Sequence, residues 1–222
     1  MRKIVSRSLK ILIVLSSFGG VLLSLVFARY DGYSHWSRRL LYFTAQSNLW
    51  IGFNSLALLF RPQNLRLYRQ KFVFTVAITI TGIVYCALLG PFSDKSFHPW
   101  SFPNLLTHIA APLFSILDFF LDDRPFTIDR KGVLSAALPP LVYFSIASVL
   151  YFLSVDFGRG VPYPYFFMHY RSPVGLFGFS REFPFFIGSF YWFALFTFIT
   201  LALAALYARL KEKRREAGTR RK

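Results

Sequence analysis

The chain has a single cysteine, Cys86, in 222 residues. That excludes an intrachain disulfide and any Cys-x-x-Cys redox pair. Cys86 falls in the middle of an apolar run and reads as a packing residue. Acidic residues are also scarce, 10 against 26 Lys and Arg. No glutamate lies inside a long apolar run, which argues against a glutamate-dependent membrane metalloprotease. Only one histidine, His108, lies inside such a run. A membrane cytochrome of the bis-histidine type needs paired histidines on facing helices. There is no Gly-x-Ser-Gly of a rhomboid-type protease and no Lys/Arg phosphate signature of a lipid phosphatase. Nor is there an obvious ionisable residue near the midplane, where a proton-driven transporter carries one.

What the chain has in abundance is apolar surface: 55% hydrophobic residues, 20% aromatic, and a mean hydropathy of +0.44. Runs of about 20 apolar residues read as membrane-spanning helices. Six are present: Ser8–Ala28, Leu40–Phe60, Phe72–Leu89, Phe102–Leu121, Val133–Leu153 and Pro184–Tyr207. They are continuously apolar, unlike the alternating strands of a membrane barrel. The expected fold is therefore an all-α polytopic bundle, a single integral-membrane domain over residues 1–222, with no room for a separate soluble domain. The basic residues before the first run also fit a signal peptide. Its core is long for that role and five more runs follow, so a retained helix is expected.

The net charge of +16 would suggest nucleic acid in a soluble protein. Here it fits the Lys/Arg bias of cytoplasmic flanks. With the N-terminus inside, 19 of the 26 basic residues fall in the N-terminal flank, the two inner loops and the tail at 209–222. Both termini are expected in the cytoplasm and nucleic acid is not an expected partner. The tail is expected to touch anionic lipid headgroups. Inner loops are Arg61–Lys71 and Asp122–Gly132; outer loops are Tyr30–Arg39 and Gly90–Ser101. The long segment Ser154–Phe183 is too aromatic to be disordered and reads as an outer cap over the helix ends.

His108 is the costly residue, since an ionisable side chain in hydrocarbon is a functional-site hypothesis by default. Pro112 has no N–H for the His108 carbonyl. A kink at the buried histidine is expected, although membrane helices tolerate proline generally. Pro139 and Pro140 likewise interrupt the fifth run. In the second run Thr44, Ser47, Asn48 and Ser55 share one face, and in the fourth Asn104, His108, Ser115 and Asp118 share another. Such faces point into a bundle, where interhelical hydrogen bonding is the plain alternative to chemistry. Depth favours one pair. At the α-helical rise Thr44 lies ~6 Å and His108 ~9 Å below the outer boundary. A hydroxyl and an imidazole at one level form a nucleophile–base pair. Asp118 is ~15 Å along its helix from His108, too far to orient the ring, and its expected partners are nearby Arg or Lys.

The segments Tyr-Phe-Thr-Ala-Gln-Ser-Asn-Leu (42–49), Leu-Leu-Thr-His-Ile-Ala-Ala-Pro-Leu (105–113) and Pro-Tyr-Pro-Tyr-Phe (162–166), together with six spans, make a pattern. It resembles the androgen-induced-protein-like family of six-helix membrane proteins, in its bacterial branch. The resemblance implies an intramembrane threonine hydrolase with Thr44 as nucleophile and His108 as base. The family's animal members cleave esters of fatty acids with hydroxy fatty acids. The implied substrate is a lipid or fatty acyl ester, with no metal or cofactor, in a bacterial plasma membrane. Asn48, Ser47 and Asn104 are candidate oxyanion or pocket groups, and Ser47 is also a rival nucleophile. Tyr163, Tyr165 and His169 are candidate entrance or cap residues. A non-catalytic lipid-binding protein or small transporter is the alternative, and a purely structural polar stripe is a third.

Overall fold

The computed structural model describes residues 2–91, 98–122, 126–182 and 184–219. Part of the Gly90–Ser101 loop, Asp123 and the last three residues of the basic tail lie outside them. The eight α-helices are α1 (Arg2–Val26), α2 (Phe43–Phe60), α3 (Leu65–Val84), α4 (Phe102–Leu105), α5 (Ala111–Leu121), α6 (Arg130–Ser135), α7 (Leu138–Phe152) and α8 (Ser189–Thr219). Two π-helical turns extend them: Tyr85–Leu89 continues α3, and Leu106–Ala110 joins α4 to α5. Short 3-10 turns at Trp36–Leu41 and Phe166–Met168 lie in the connections.

Among the described residues, five continuous helical stretches are long and apolar enough to cross a membrane: Lys3–Val26, Leu65–Leu89, Phe102–Leu121, Arg130–Phe152 and Ser189–Glu216. The fold is compatible with a membrane helix bundle. The remaining expected run, Leu40–Phe60, gives α2, which has 18 residues but a more polar composition. Its Ser47, Asn48, Asn54 and Ser55 are all buried in the bundle, because lipid offers such groups no partner. Large apolar side chains such as Leu15, Leu22, Val149 and Phe198 are exposed on the outward faces of the other helices.

Local sequence explains the breaks. Pro139 and Pro140 lack N–H donors, so they are tolerated in the first turn of a helix. The fifth run accordingly divides at Ala136–Ala137, and α7 restarts with the prolines in its first turn. Asn64 caps α3 by accepting from the amides of Arg66 and Leu67, and Asp129 caps α6 through the amide of Gly132.

Helix α1 packs on α2, α5 and the turn Leu106–Ala110, while α3 packs on α2, α5 and α8. Two glycines permit close approaches between these elements. A Cβ on Gly20 would stand 2.6 Å from Cγ2 of Thr107, and one on Gly52 would stand 2.6 Å from the Phe18 ring. At the end of the bundle where α1 begins and α5 finishes, Asp118 is fully buried between two lysines. Lys10 lies 3.1 Å and Lys71 2.5 Å from its carboxylate, and Ser6 donates to it at 2.6 Å. Lys10 also reaches Asp122 at 3.0 Å. This network joins α1, α3 and α5, so the basic partners expected for the acidic inner end are present. Lys211 adds α8 by donating to the carbonyls of Phe119 and Asp122.

At the opposite end, Phe157, Phe167 and Met168 of the long cap segment are buried with Phe43, Tyr143, Trp192 and Phe196. The cap is thus packed onto α2, α7 and α8. Asp156 holds its own turn by accepting from the amides of Gly158 and Gly160, and it ties the cap to the loop between α1 and α2 through the Ser34 hydroxyl at 3.0 Å.

Candidate active site

Thr44 stands in the first turn of α2, and His108 in the middle of the π turn after α4. The Thr44 hydroxyl lies 3.2 Å from Nε2 of His108. The other ring nitrogen fixes the tautomer. Nδ1 is 3.1 Å from the carbonyl of Asn104, which accepts only, so Nδ1 carries the hydrogen. The same N–H is 3.0 Å from the Thr107 hydroxyl, whose own proton goes to the Pro103 carbonyl at 2.9 Å. Nε2 is left with a lone pair facing the Thr44 hydroxyl, which donates to it. The group that orients the base is a backbone carbonyl with a neighbouring hydroxyl, not a carboxylate.

The ring is held on its face as well. Tyr85 stacks on His108 with centroids 3.7 Å apart and planes 19° apart, and the Tyr85 hydroxyl donates to the Pro99 carbonyl. Both stacked residues belong to π-helical turns, which occur mostly as local bulges at functional sites. In the turn around His108 the amide of Ala111 bonds back to the carbonyl of Leu106. The irregularity expected from Pro112 is therefore a π turn. The His108 carbonyl, which Pro112 gives no hydrogen bond, faces Gly82.

The dyad opens on a cavity of about 700 Å³ whose walls include Tyr33, Tyr42, Asn104, Tyr163 and Tyr165. Volumes of 300–1,000 Å³ are typical of ligand sites. Arg39 and Arg159 line it too, their guanidinium groups 4.1 and 4.9 Å from the Tyr33 ring centroid. Arg39 is paired with Asp31. A second, apolar cavity of about 40 Å³ between α2, α3, α7 and α8 also touches Thr44 and Tyr165. Those two residues stand in the wall between the spaces.

The other expected residues are placed as follows. Asn48 lies one turn below Thr44, and its amide donates to the carbonyls of Thr44 at 2.8 Å and Thr107 at 3.1 Å. Both amide protons are thereby engaged, tying α2 to the π turn. Ser47 is fully buried against the Thr81 hydroxyl at 2.8 Å and does not line the large cavity. Asn104 lines it but donates to the His98 carbonyl at 3.1 Å. His169 stacks on Tyr163 at 4.4 Å, beside the entrance rather than on the dyad. Among the described residues, no three His, Cys, Asp or Glu side chains gather as a metal site requires.

Sequence reasoning missed Tyr85, Thr107 and Arg159 as parts of this site. Thr107 has a legible signal, since it adjoins His108 in the sequence. Tyr85 and Arg159 arrive through tertiary packing alone. No protein-family model, curated protein or solved structure matches the chain.

Proposed function

We propose that the chain is an intramembrane lipid ester hydrolase, a six-span protein of a bacterial plasma membrane with both termini inside. The observation that carries this reading is the hydrogen bond from Thr44 to an imidazole whose tautomer is already that of a general base. His108 Nε2 takes the Thr44 proton as Oγ bonds to the ester carbonyl carbon. The tetrahedral intermediate then expels the alkoxide, which leaves with the proton held on His108. Water attacks the acyl-threonine, again losing its proton to His108, which returns it to Thr44 Oγ as the acyl–oxygen bond breaks and the acid departs. The large cavity accommodates one side of the ester, and its aromatic walls suit a lipid. The androgen-induced-protein-like resemblance points to the same two residues.

The test is turnover of a long-chain acyl ester by the purified protein in detergent. Thr44→Ala abolishes it if the reading holds, and unchanged turnover in that variant ends it. A lipid-binding protein without chemistry is the second reading, favoured by the size of the cavity. A long-chain fluorophosphonate separates the two: it labels Thr44 in a hydrolase and leaves a binding protein unlabelled.

A further inference from the structure

We infer that the hydroxyl of Tyr165 is the oxyanion donor of the Thr44 site. This rests on the hydrolase reading of Thr44 and His108 and adds a residue that the dyad alone leaves out. An acyl transfer needs a donor aimed at the oxygen on which charge develops, and such donors act strongly in a water-poor site. Several side chains around the dyad are committed elsewhere. The two Asn48 amide protons go to carbonyls, as do those of the Tyr85 and Tyr42 hydroxyls. Asn104 donates away from the dyad, to His98.

Tyr165 differs. Its hydroxyl faces the side chain of Thr44 and the backbone of Phe43 and Thr44. Phe43 and Thr44 open α2, where amides have no partner within the helix and where no side chain of the preceding residue caps them. The phenol therefore sits at the positive end of an 18-residue helix, beside the nucleophile. Burial pushes the phenol up to about 12, so the proton stays on oxygen at neutral pH.

The position also fits the two spaces. Tyr165 and Thr44 both border the large chamber and the small apolar one. A carbonyl carbon attached to Thr44 Oγ lies in that shared wall, with its oxygen beside Oγ and within reach of the same phenol. When Oγ bonds to carbon, the carbonyl electron pair moves to oxygen and Tyr165 donates to it without losing its proton. As the carbonyl re-forms, the leaving alkoxide takes the proton held by His108.

Tyr165→Phe is the test, because it removes one oxygen and keeps the ring against Tyr42 and Phe167, at 5.7 and 5.0 Å. Three measurements are made on each protein: kcat and KM for a long-chain acyl ester, inhibition by a long-chain trifluoromethyl ketone, and the thermal midpoint. The ketone adds Thr44 Oγ to form a hemiketal oxyanion and so reports the same donor. The expected result is a fall in kcat of about 10²–10³-fold with KM within a few-fold of wild type. Affinity for the ketone falls alongside kcat/KM, and its hemiketal no longer forms tightly. Wild-type kcat in Tyr165→Phe, alongside an inactive Thr44→Ala, overturns the role of Tyr165 and leaves the dyad standing. A loss of kcat with undiminished ketone affinity also overturns it. Activity that survives Thr44→Ala removes the hydrolase reading itself. If Tyr165→Phe lowers the thermal midpoint, ketone affinity measured well below that midpoint decides.

Discussion

The backbone carbonyl of His108 faces Gly82 across the α3–α5 interface. A methyl group built on Gly82 would stand 3.0 Å from that oxygen and 3.3 Å from Cγ of Pro112. Glycine thus lets α3 approach the one turn of the neighbouring chain segment whose hydrogen bonding proline disrupts. Tyr85, three residues further along, is brought over the imidazole as a result. Gly82→Ala forces α3 outward by a few tenths of an ångström, and overpacking of this kind costs about 1–3 kcal/mol. We expect a lower thermal midpoint in detergent together with reduced ester turnover. An unshifted midpoint with full activity would show that this approach is not tight in the working protein.

Thr44 and His108 act as one unit if they share the proton. Thr44→Ala, His108→Ala and the double variant should then lose nearly the same activity, since residues of one catalytic unit are strongly non-additive. Two independent losses that multiply in the double variant would contradict the dyad. Thr44→Ser keeps the hydroxyl but not the methyl group that restricts its rotamer, and it should retain measurable turnover.

Tyr85 works through its ring. At 3.7 Å and 19° it covers one face of the imidazole. Tyr85→Phe keeps that stack and loses only the hydrogen bond to Pro99, so its kcat should stay within a few-fold of wild type. Tyr85→Leu frees the ring to tilt away from Thr44. A misplaced base of this kind costs up to about 10²-fold, read as kcat for the long-chain ester. Equal kcat in the two variants would assign Tyr85 to packing alone.

Much of this arrangement is legible along the chain because depth and helical period are one-dimensional. Thr44 and His108 match in depth once the spans are drawn, and the polar stripe of α2 points inward by its 3.6-residue period. Asp118 is legible as a residue in need of basic partners. The π turns are not legible, because hydropathy does not record how a helix is wound. Pro112 marks the place of the irregularity without giving its form. Tyr85 is equally hidden: it reaches the site from a different helix, and aromatic residues are common throughout this sequence. Tyr165 is legible as a cap residue but not as a neighbour of Thr44. The boundary of α2 shifts for a local reason as well. The expected run begins at Leu40, but Trp36–Leu41 winds as a 3-10 turn and the helix starts at Phe43, which places Thr44 in the first turn rather than in the second.

The Asp118 network offers a test of stability separate from chemistry. Asp118 is fully buried and faces both Lys10 and Lys71, and its removal leaves buried positive charge with less compensation. Breaking such a pair costs about 3–5 kcal/mol, whereas replacing both partners with apolar residues of similar size is often neutral. Asp118→Asn should lower the thermal midpoint more than the double change Lys71→Met with Asp118→Leu. The reverse order would mean that the network is solvated in the membrane-embedded protein.

Asp156 makes the cap sensitive to acid. Burial, the largest single influence, raises its pKa, but the amide of Gly158, the Ser34 hydroxyl, the amide of Gly160 and the charge of Arg38 together outweigh it and hold the carboxyl below its ordinary value. A group whose folded-state pKa is depressed contributes its stabilisation above the unfolded value. That contribution is lost as pH falls through the folded value. The tether between the cap and the loop joining α1 to α2 is therefore intact at neutral pH and loosens only on the acid side of the usual carboxylate range. Hydrogen-exchange protection of the Gly158 and Gly160 amides should be constant around neutrality and fall as the carboxyl protonates. Asp156→Asn should show the low protection at every pH. Since Arg159, Val161 and Tyr163 of the same segment line the cavity, that variant should also raise KM for the long-chain ester more than it lowers kcat. Protection that follows the same pH course in wild type and Asp156→Asn would remove Asp156 from the tether.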